Sequence, residues 1–500
     1  MAWAFGDGVD CYAAPADMVA GYWDSGTNST WTFVAGRFAG SQAVNIASSN
    51  TNVVKSSAIN DAVHHLVVAF RQTSAITGST LGGYLQLLDG ATAQCSIVFR
   101  SDGAILLASG GPTGTVLATY TGAFPVLNTW YALEIEVAIS NTAGYMNVRK
   151  NGNPVNDFTS ATNLDTQNSA NAYANKLQFG MGASIVSAHQ FDDLYWRSDA
   201  SSVAWMGDIR CYTRAPASDA SVQFSRAPTN FFAQYGTGAT AGSSMSANNI
   251  RAVAVAAPTT GTLASLSFGL SAGVTGHAKM ALYDASGAGG GPGTLLASSA
   301  ELTNPGAGVN TFSVTAGPSL VRGTTYWVAL WSDIAITGAT AAPTTTAVDT
   351  LALTYTTSFP STMAGFTGPA TLQTLGSAGM NVTPLNAGCV NEAQQDATTS
   401  YVYDSVPGHA DLYGIAAIAS TPLTTFAVTT RAYMIKSDAG TRTAAVQLKS
   451  GASTVASPTV VLTPSNWQWA WRHDTTDPAT GAAWTAAAVN VAQVGPVVIA

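Results

Sequence analysis

Residues 130–152 read WYALEIEVAISNTAGYMNVRKNG. Leu133, Ile135, Val137 and Ile139 alternate with Glu134, Glu136 and Ser140. An alternation of period two is the mark of a strand with one buried face. Residues 141–144 carry turn chemistry, and Tyr145, Asn147 and Arg149 then alternate with Met146, Val148 and Lys150. Asn151-Gly152 closes the stretch with two residues that accept the positive φ of a tight turn. This is an antiparallel hairpin, and the pattern repeats to either side of it. Residues 62–70 (AVHHLVVAF) form a buried strand. Residues 84–88, 94–100, 105–108 and 116–120 continue a meander, with Asp89-Gly90 and Asp102-Gly103 as turns. Residues 176–180 and 190–196 follow, and residues 205–212 close the domain. Short strands at regular spacing without a helical period predict an all-β chain built of sandwiches.

Five hundred residues predict about three domains at roughly 150 residues each. Charged residues make up 9% of the chain against roughly 25% in ordinary soluble domains. With a net charge of −8 and no basic cluster, a nucleic-acid partner is excluded. No stretch holds the ~20 apolar residues of a membrane-spanning helix, so no membrane insertion is expected. The opening MAWAFGDGVD lacks the basic and apolar regions of a signal peptide. The expectation is a protein made in a cytoplasm that leaves it by another route, such as lysis. Cys11, Cys95, Cys211 and Cys389 are scattered, which argues against zinc. Buried free thiols are expected, with a Cys11–Cys211 disulfide as the alternative.

Three modules are predicted. Residues 1–213 form the first sandwich. Residues 228–385 are almost uncharged and carry strands at 263–270, 278–284, 293–298 and 324–331, a second, jelly-roll-like sandwich. Their glycine run at 287–293 (GAGGGPG) is a loop, because no helix pattern follows it to make a phosphate cradle. Residues 386–500 form a third β-domain, with strands at 424–435, 441–449 and 459–462, which residues 217–225 would complete.

The Trp-led strand, its hairpin, the Asn151-Gly152 turn and the late strand with Asp192-Asp193 resemble the concanavalin A-like, laminin-G-like lectin sandwich. The opening Trp3–Tyr12 stretch (WAFGDGVDCY), Ala35-Gly-Arg37-Phe-Ala-Gly40 and Gly207-Asp208-Ile-Arg210 more narrowly resemble the sandwich of phage and prophage virion proteins. Asn391-Glu392, Asp396, residues 399–402, 408–413 and 477–484 resemble the carboxy-terminal part of the same proteins, where that part follows the lectin sandwich almost directly. The resemblance therefore implies that the middle module is an insertion.

Several constellations could carry chemistry. Glu134 and Glu136 share a strand face at a spacing that suits a retaining glycosidase, but the third acid of glucanases on this fold is missing, which favours a solvated sheet face. Asp7 and Asp10 with Asp192 would supply the oxygens of a Ca²⁺ site; consecutive strand residues face opposite ways, so Asp193 joins them only if the strand bulges. His64-His65 alternate in direction and read as core or edge residues. No Gly-x-Ser-x-Gly elbow exists. Trp467, Trp469 and Trp471 line one strand face (NWQWAW). An exposed row stacks on sugar rings; a buried row is core or interface. Trp327 and Trp331, beside Tyr326, pose the same choice. The carbohydrate-binding candidates are thus Trp327, Trp331, Trp467 and Trp469.

The resemblance implies a non-enzymatic structural component on the surface of a tailed-phage virion: a tail fibre, tail-tip adhesin or spike that binds host-surface polysaccharide. Capsid decoration or a head fibre is the alternative, and a polysaccharide-degrading glycosidase the third reading. Other virion proteins and copies of the chain itself, as a homotrimer or other homo-oligomer, are the expected partners. No cofactor is expected beyond the Ca²⁺ considered above.

Overall fold

The computed structural model describes residues 3–47, 50–73, 81–181, 189–200, 204–228, 230–235, 240–340, 348–363, 378–392, 394, 396, 399–418 and 424–500. The described residues are nearly all β, with 52% strand and 4% helix, so among them sheets pack on sheets without a helical layer. It divides into two compact units. One contains residues 1–215, 392–396 and 405–500; the other contains residues 216–391 and 397–404.

The first unit opens with a two-sheet sandwich. One sheet runs Phe158–Thr159, Tyr145–Lys150, Tyr131–Ala138, Val63–Gln72, His189–Asp199, Gln42–Ile46 and Thr32–Ala35, with Trp3–Asp7 also on His189–Asp199. The other runs Val116–Tyr120, Ile105–Ser109, Thr92–Arg100, Leu81–Asp89, Ala174–Met181, Thr51–Asp61 and Ser25–Thr27. The hairpin read from the sequence is present, with Leu133 opposite Lys150 and Val137 opposite Met146. Asn151 and Gly152 take φ of 54° and 74°. Leu66, Val68, Leu133, Ile135 and Val137 are fully buried between the sheets. Phe70 stacks on Phe99 at 4.7 Å and packs against Phe191 at 5.2 Å.

Tyr131–Ala138 is buried along its whole length, on both faces. Glu134 and Glu136 are therefore not on a solvated face: they are 2% and 3% exposed. The segment around Trp205–Gly207 supplies part of that cover, because the backbone N–H groups of Met206 and Gly207 donate to Glu134 at 2.6 and 2.9 Å. Residues 205–212, expected as a closing strand, are irregular chain.

Residues 386–500 do not stand apart as one module. Most of them share the unit of the first sandwich. Leu412–Ile415, Gln493–Val498, Arg442–Ser450 and Ser453–Ala456 form a sheet, and Val428–Met434 pairs with Gln468–Asp474 as a two-stranded ribbon. Trp469 of this ribbon lies in the same core as Phe5 and Tyr12. Arg431 reinforces the join: it donates to the Tyr12 hydroxyl at 3.0 Å, pairs with Asp7 at 3.3 Å, and lies 4.2 Å over the Tyr22 ring. A short helix, Ala486–Val491, is capped by the Thr485 hydroxyl, which accepts from the Ala488 N–H.

The second unit is a sandwich of its own. Gly261–Leu270 and Ala378–Pro384 centre one sheet; His277–Tyr283, Thr325–Ser332 and Asn249–Ala256 centre the other. Leu266, Met280, Leu282, Val328, Leu330 and Met380 are fully buried between them.

Candidate functional site

The ribbon positions the aromatic row. Tyr433 pairs with Trp469, and Arg431 with Trp471. Period two then puts residues 467, 469 and 471 on one face, but their surroundings differ. Trp469 is 6% exposed and donates its indole N–H to Asp17 O at 3.0 Å. Its backbone N–H donates to Ala20 O at 2.8 Å. Trp471 is half-buried, donates to Gly21 O at 3.2 Å, and has Lys55 Nζ 4.2 Å from its ring centroid. Trp467 is half-buried and stacks on Tyr433 at 5.1 Å and 19°. Tyr433 packs on Trp469 at 4.6 Å. The result is a three-ring stack, rooted in the core by Trp469 and ending at Trp467.

These rings line a groove of about 1190 Å³. The 16–21 turn, Ile59 and the stretch Pro458–Val461 also line it. Its volume lies above the ~300–1,000 Å³ of ordinary small-molecule pockets. Asn466, Gln468 and Thr475 add amide and hydroxyl groups. The Oε1 of Gln468 has no hydrogen-bond partner among the described residues. His473, also on the wall, is kept neutral: burial pushes its imidazole down to about 4.

The other sugar-site candidates are interior. Trp327 is 4% exposed and donates to Gly290 O at 3.0 Å; Trp331 is fully buried and donates to Leu353 O at 3.0 Å. Both lie in one buried cluster, where Trp331 packs against Tyr355 and Phe359, each at 5.3 Å. Tyr433 and Gln468 belong to the groove but were not singled out in the sequence. Only the pairing of residues 428–434 with 468–474 brings Tyr433 beside the tryptophans.

The Ca²⁺ candidates Asp7, Asp10 and Asp192 are engaged with protein donors. Asp7 accepts from Val9 N–H, the Tyr12 hydroxyl and the Trp23 indole at 3.0, 2.9 and 2.8 Å. Asp10 accepts from Gln42 N–H at 2.7 Å, and burial pushes its carboxyl up to about 6. Asp192 accepts from the Arg37 and Asp193 N–H groups, both at 2.8 Å. Their oxygens serve protein donors rather than one common centre, and among the described residues no three His, Cys, Asp or Glu side chains group as a metal site. The strand does bulge here. Asp193 takes φ of 50°, the register slips between Asp192 and Tyr195, and both carboxylates lie inside. Burial and the Asp192 charge raise the Asp193 pKa.

The same region explains the three quoted motifs. Arg37 grips Asp208 through both terminal nitrogens, and the Arg210 guanidinium lies 3.6 Å over the Phe38 ring. Cys211 N–H donates to Asp193 at 2.7 Å. Gly36 is needed where it stands, since a Cβ there would meet Ser41 Oγ at 2.3 Å and Asp192 at 2.7 Å. The segments 3–12, 35–40 and 207–210 thus lock one edge of the sandwich. The four cysteines are free thiols, so Cys11 and Cys211 are not bonded.

His64 and His65 are fully buried. His65 Nε2 lies 2.6 Å from Glu136, and its Nδ1 lies 3.8 Å from Glu134. Burial alone would lower the His65 pKa; the two carboxylates outweigh it and raise it. Trp205 packs edge-on over the imidazole at 5.3 Å. The two acids are thereby tied to His65 and the backbone, beneath cover.

No protein-family model matches the chain, and no curated protein matches it. Solved structures similar to it include Cip1, a cellulose-induced protein, at 13% identity over 41% of this chain and 94% of that one, with a TM-score of 0.27. The carbohydrate esterase vb_24B_21 of the Shiga toxin-encoding bacteriophage phi24B is similar at 14% identity, 38% and 96% coverage, and TM-score 0.27. The botulinum neurotoxin serotype D binding domain matches at 13% identity and TM-score 0.24; the match covers 32% of this chain and only 40% of that domain. Carbohydrate-binding domains recur among the similar structures.

Proposed function

We propose that this chain is a carbohydrate-binding adhesion protein without catalytic activity, that its groove is the binding site, and that it is displayed in several copies on a tailed-phage virion. The observation that carries the binding reading is the Trp467–Tyr433–Trp469 stack, which is anchored in the core at one end and half-exposed at the other. A rigid aromatic platform offers stacking area to a sugar ring at little cost in side-chain entropy. The side-chain amides of Asn466 and Gln468 beside it match saccharide hydroxyls. Binding without hydrolysis is supported by the state of Glu134 and Glu136: a glycosidase acid pair must reach its substrate, and these two are buried and bonded within the protein. The virion setting draws on the order of motifs in residues 1–213 and 386–500. Repetition of one weak site on a symmetric particle would raise its avidity by orders of magnitude.

Two experiments test this reading. Wild-type protein should be retarded in native gels containing surface polysaccharide from the host bacterium, and the Trp467→Ala variant should not. Equal mobility of the two proteins would refute the groove. Gold-labelled antibody should decorate the tails of purified particles; label confined to heads would make the chain a capsid decoration, and unlabelled particles would remove the virion setting.

A further inference from the structure

We infer that the groove selects an uncharged oligosaccharide and rejects acidic polysaccharides. This rests on the groove being a saccharide site, as proposed above.

The first support is the charge inventory. Among the described residues that line the groove, the one charged side chain is Arg472. Its guanidinium is already committed. Nε donates to Asp474 at 2.6 Å, Nη2 pairs with the other oxygen of the same carboxylate, and Nη1 donates to Ala456 O. The pair is neutral as a unit. The nearby ammonium of Lys55, behind Trp471, is equally engaged: it donates to Tyr22 O at 2.6 Å and Asp24 at 3.0 Å, and the side chain is 3% exposed. His473 carries no charge near neutral pH, and its Nδ1 sits 2.7 Å from the Thr429 hydroxyl. A uronate, sulfate or phosphate entering this groove would give up water and meet no free cation. Burying an unpaired charge is strongly unfavourable. A neutral sugar presents only hydroxyls and C–H faces, which Asn466, Gln468, Thr475 and the ring surfaces match.

The second support is length. Trp467, immediately before the strand Gln468–Asp474, and Trp471 within it stand four residues apart, about 13 Å at the rise of extended chain. A single sugar ring cannot touch both, so a ligand that engages the two tryptophans is an oligomer. The groove volume agrees, since it exceeds the range of small-molecule pockets.

The test uses the full chain. Wild type, Trp467→Ala and Trp467→Phe are applied to one panel of neutral polymers (dextran, mannan, mixed-linkage glucan) and one of acidic polymers (polygalacturonate, alginate, dextran sulfate), each at low and high salt. The expected result is retention by at least one neutral polymer, insensitive to salt. Affinity should fall by about tenfold or more in Trp467→Ala, the loss expected for a central aromatic anchor, and should recover in part in Trp467→Phe. Thermal melts of both variants establish that they fold. Trp467-dependent retention by acidic polymers alone, fading with salt, would overturn the neutral-ligand inference and leave the saccharide groove standing. Retention that ignores Trp467 on every polymer, or none at all, would bring down the groove reading itself.

Discussion

The His65–Glu136 contact is a buried ion pair, with His65 fully buried and Glu136 3% exposed. Glu136→Gln keeps a hydrogen-bond acceptor but removes the charge that faces the imidazolium. We expect a loss of about 2 kcal/mol, below the ~3–5 kcal/mol of a pair broken outright. The pH dependence has a definite sign. The His65 pKa is raised in the folded protein, so the stabilisation is complete below the unfolded value near 6.5 and fades as pH rises through the folded value. Urea midpoints of wild type and variant should therefore differ most at pH 6, and the gap should narrow as pH rises. A gap that widens with pH would refute the pairing. At this scale the sequence is half legible. Alternation correctly places Leu133, Ile135 and Val137 in the core, where each is fully buried. It misplaces Glu134 and Glu136, because period two reports on one strand and cannot foresee a segment some seventy residues later that folds over the polar face and caps Glu134 with two backbone N–H groups. The Asp192-Asp193 pair shows the same limit: a bulge directs both inward, and nothing local in the sequence announces it.

At the scale of the element, the ribbon separates two roles that the sequence runs together in NWQWAW. The strand itself is legible, and so is the shared face of its tryptophans. What Trp469 and Trp471 meet depends on chain some 450 residues away, at Asp17 and Gly21. Trp469 fills a core, so Trp469→Ala should cost about 3–5 kcal/mol. Trp467 ends the stack at a half-exposed position, so Trp467→Ala should cost under about 1 kcal/mol while abolishing polysaccharide retention. Paired denaturation and binding measurements check this dissociation; equal destabilisation by the two variants would mean that the row is all core. The Ala486–Val491 helix escaped the sequence reading for a simple reason. Six residues, half of them alanine, carry too little periodicity to register, and the Thr485 cap is the one local signal.

For the whole molecule, composition turns almost uncharged near residue 228, and one of the two compact units comprises residues 216–391 and 397–404. Chain entry and exit are tied together within that unit. Asp219 accepts from the Asn386 and Ala387 N–H groups at 3.1 and 2.7 Å, Asn386 donates to Phe224 O at 2.8 Å, and Arg226 donates to Asn386 at 3.1 Å. A segment whose ends meet can be removed with little strain on the rest of the chain. Replacing residues 228–385 by a short Gly/Ser linker should therefore yield a folded protein, since the closure entropy of so short a loop is small. Its groove residues all belong to the first unit, so Trp467-dependent retention on polysaccharide should persist within about twofold, under 0.5 kcal/mol. Ending the chain at residue 215 should behave differently. It removes Trp469 from the core shared with Phe5 and Tyr12 and removes Arg431 from its place against Asp7 and Tyr12. That truncation leaves the Asp7 carboxylate without its cation and a tryptophan-sized void, so the first sandwich alone should melt well below the linker protein. Circular dichroism melts of the two designs decide the matter: a sandwich of residues 1–215 as stable as the linker protein would show that the ribbon contributes nothing to its core, and loss of retention in the linker protein would move the binding site into the second unit.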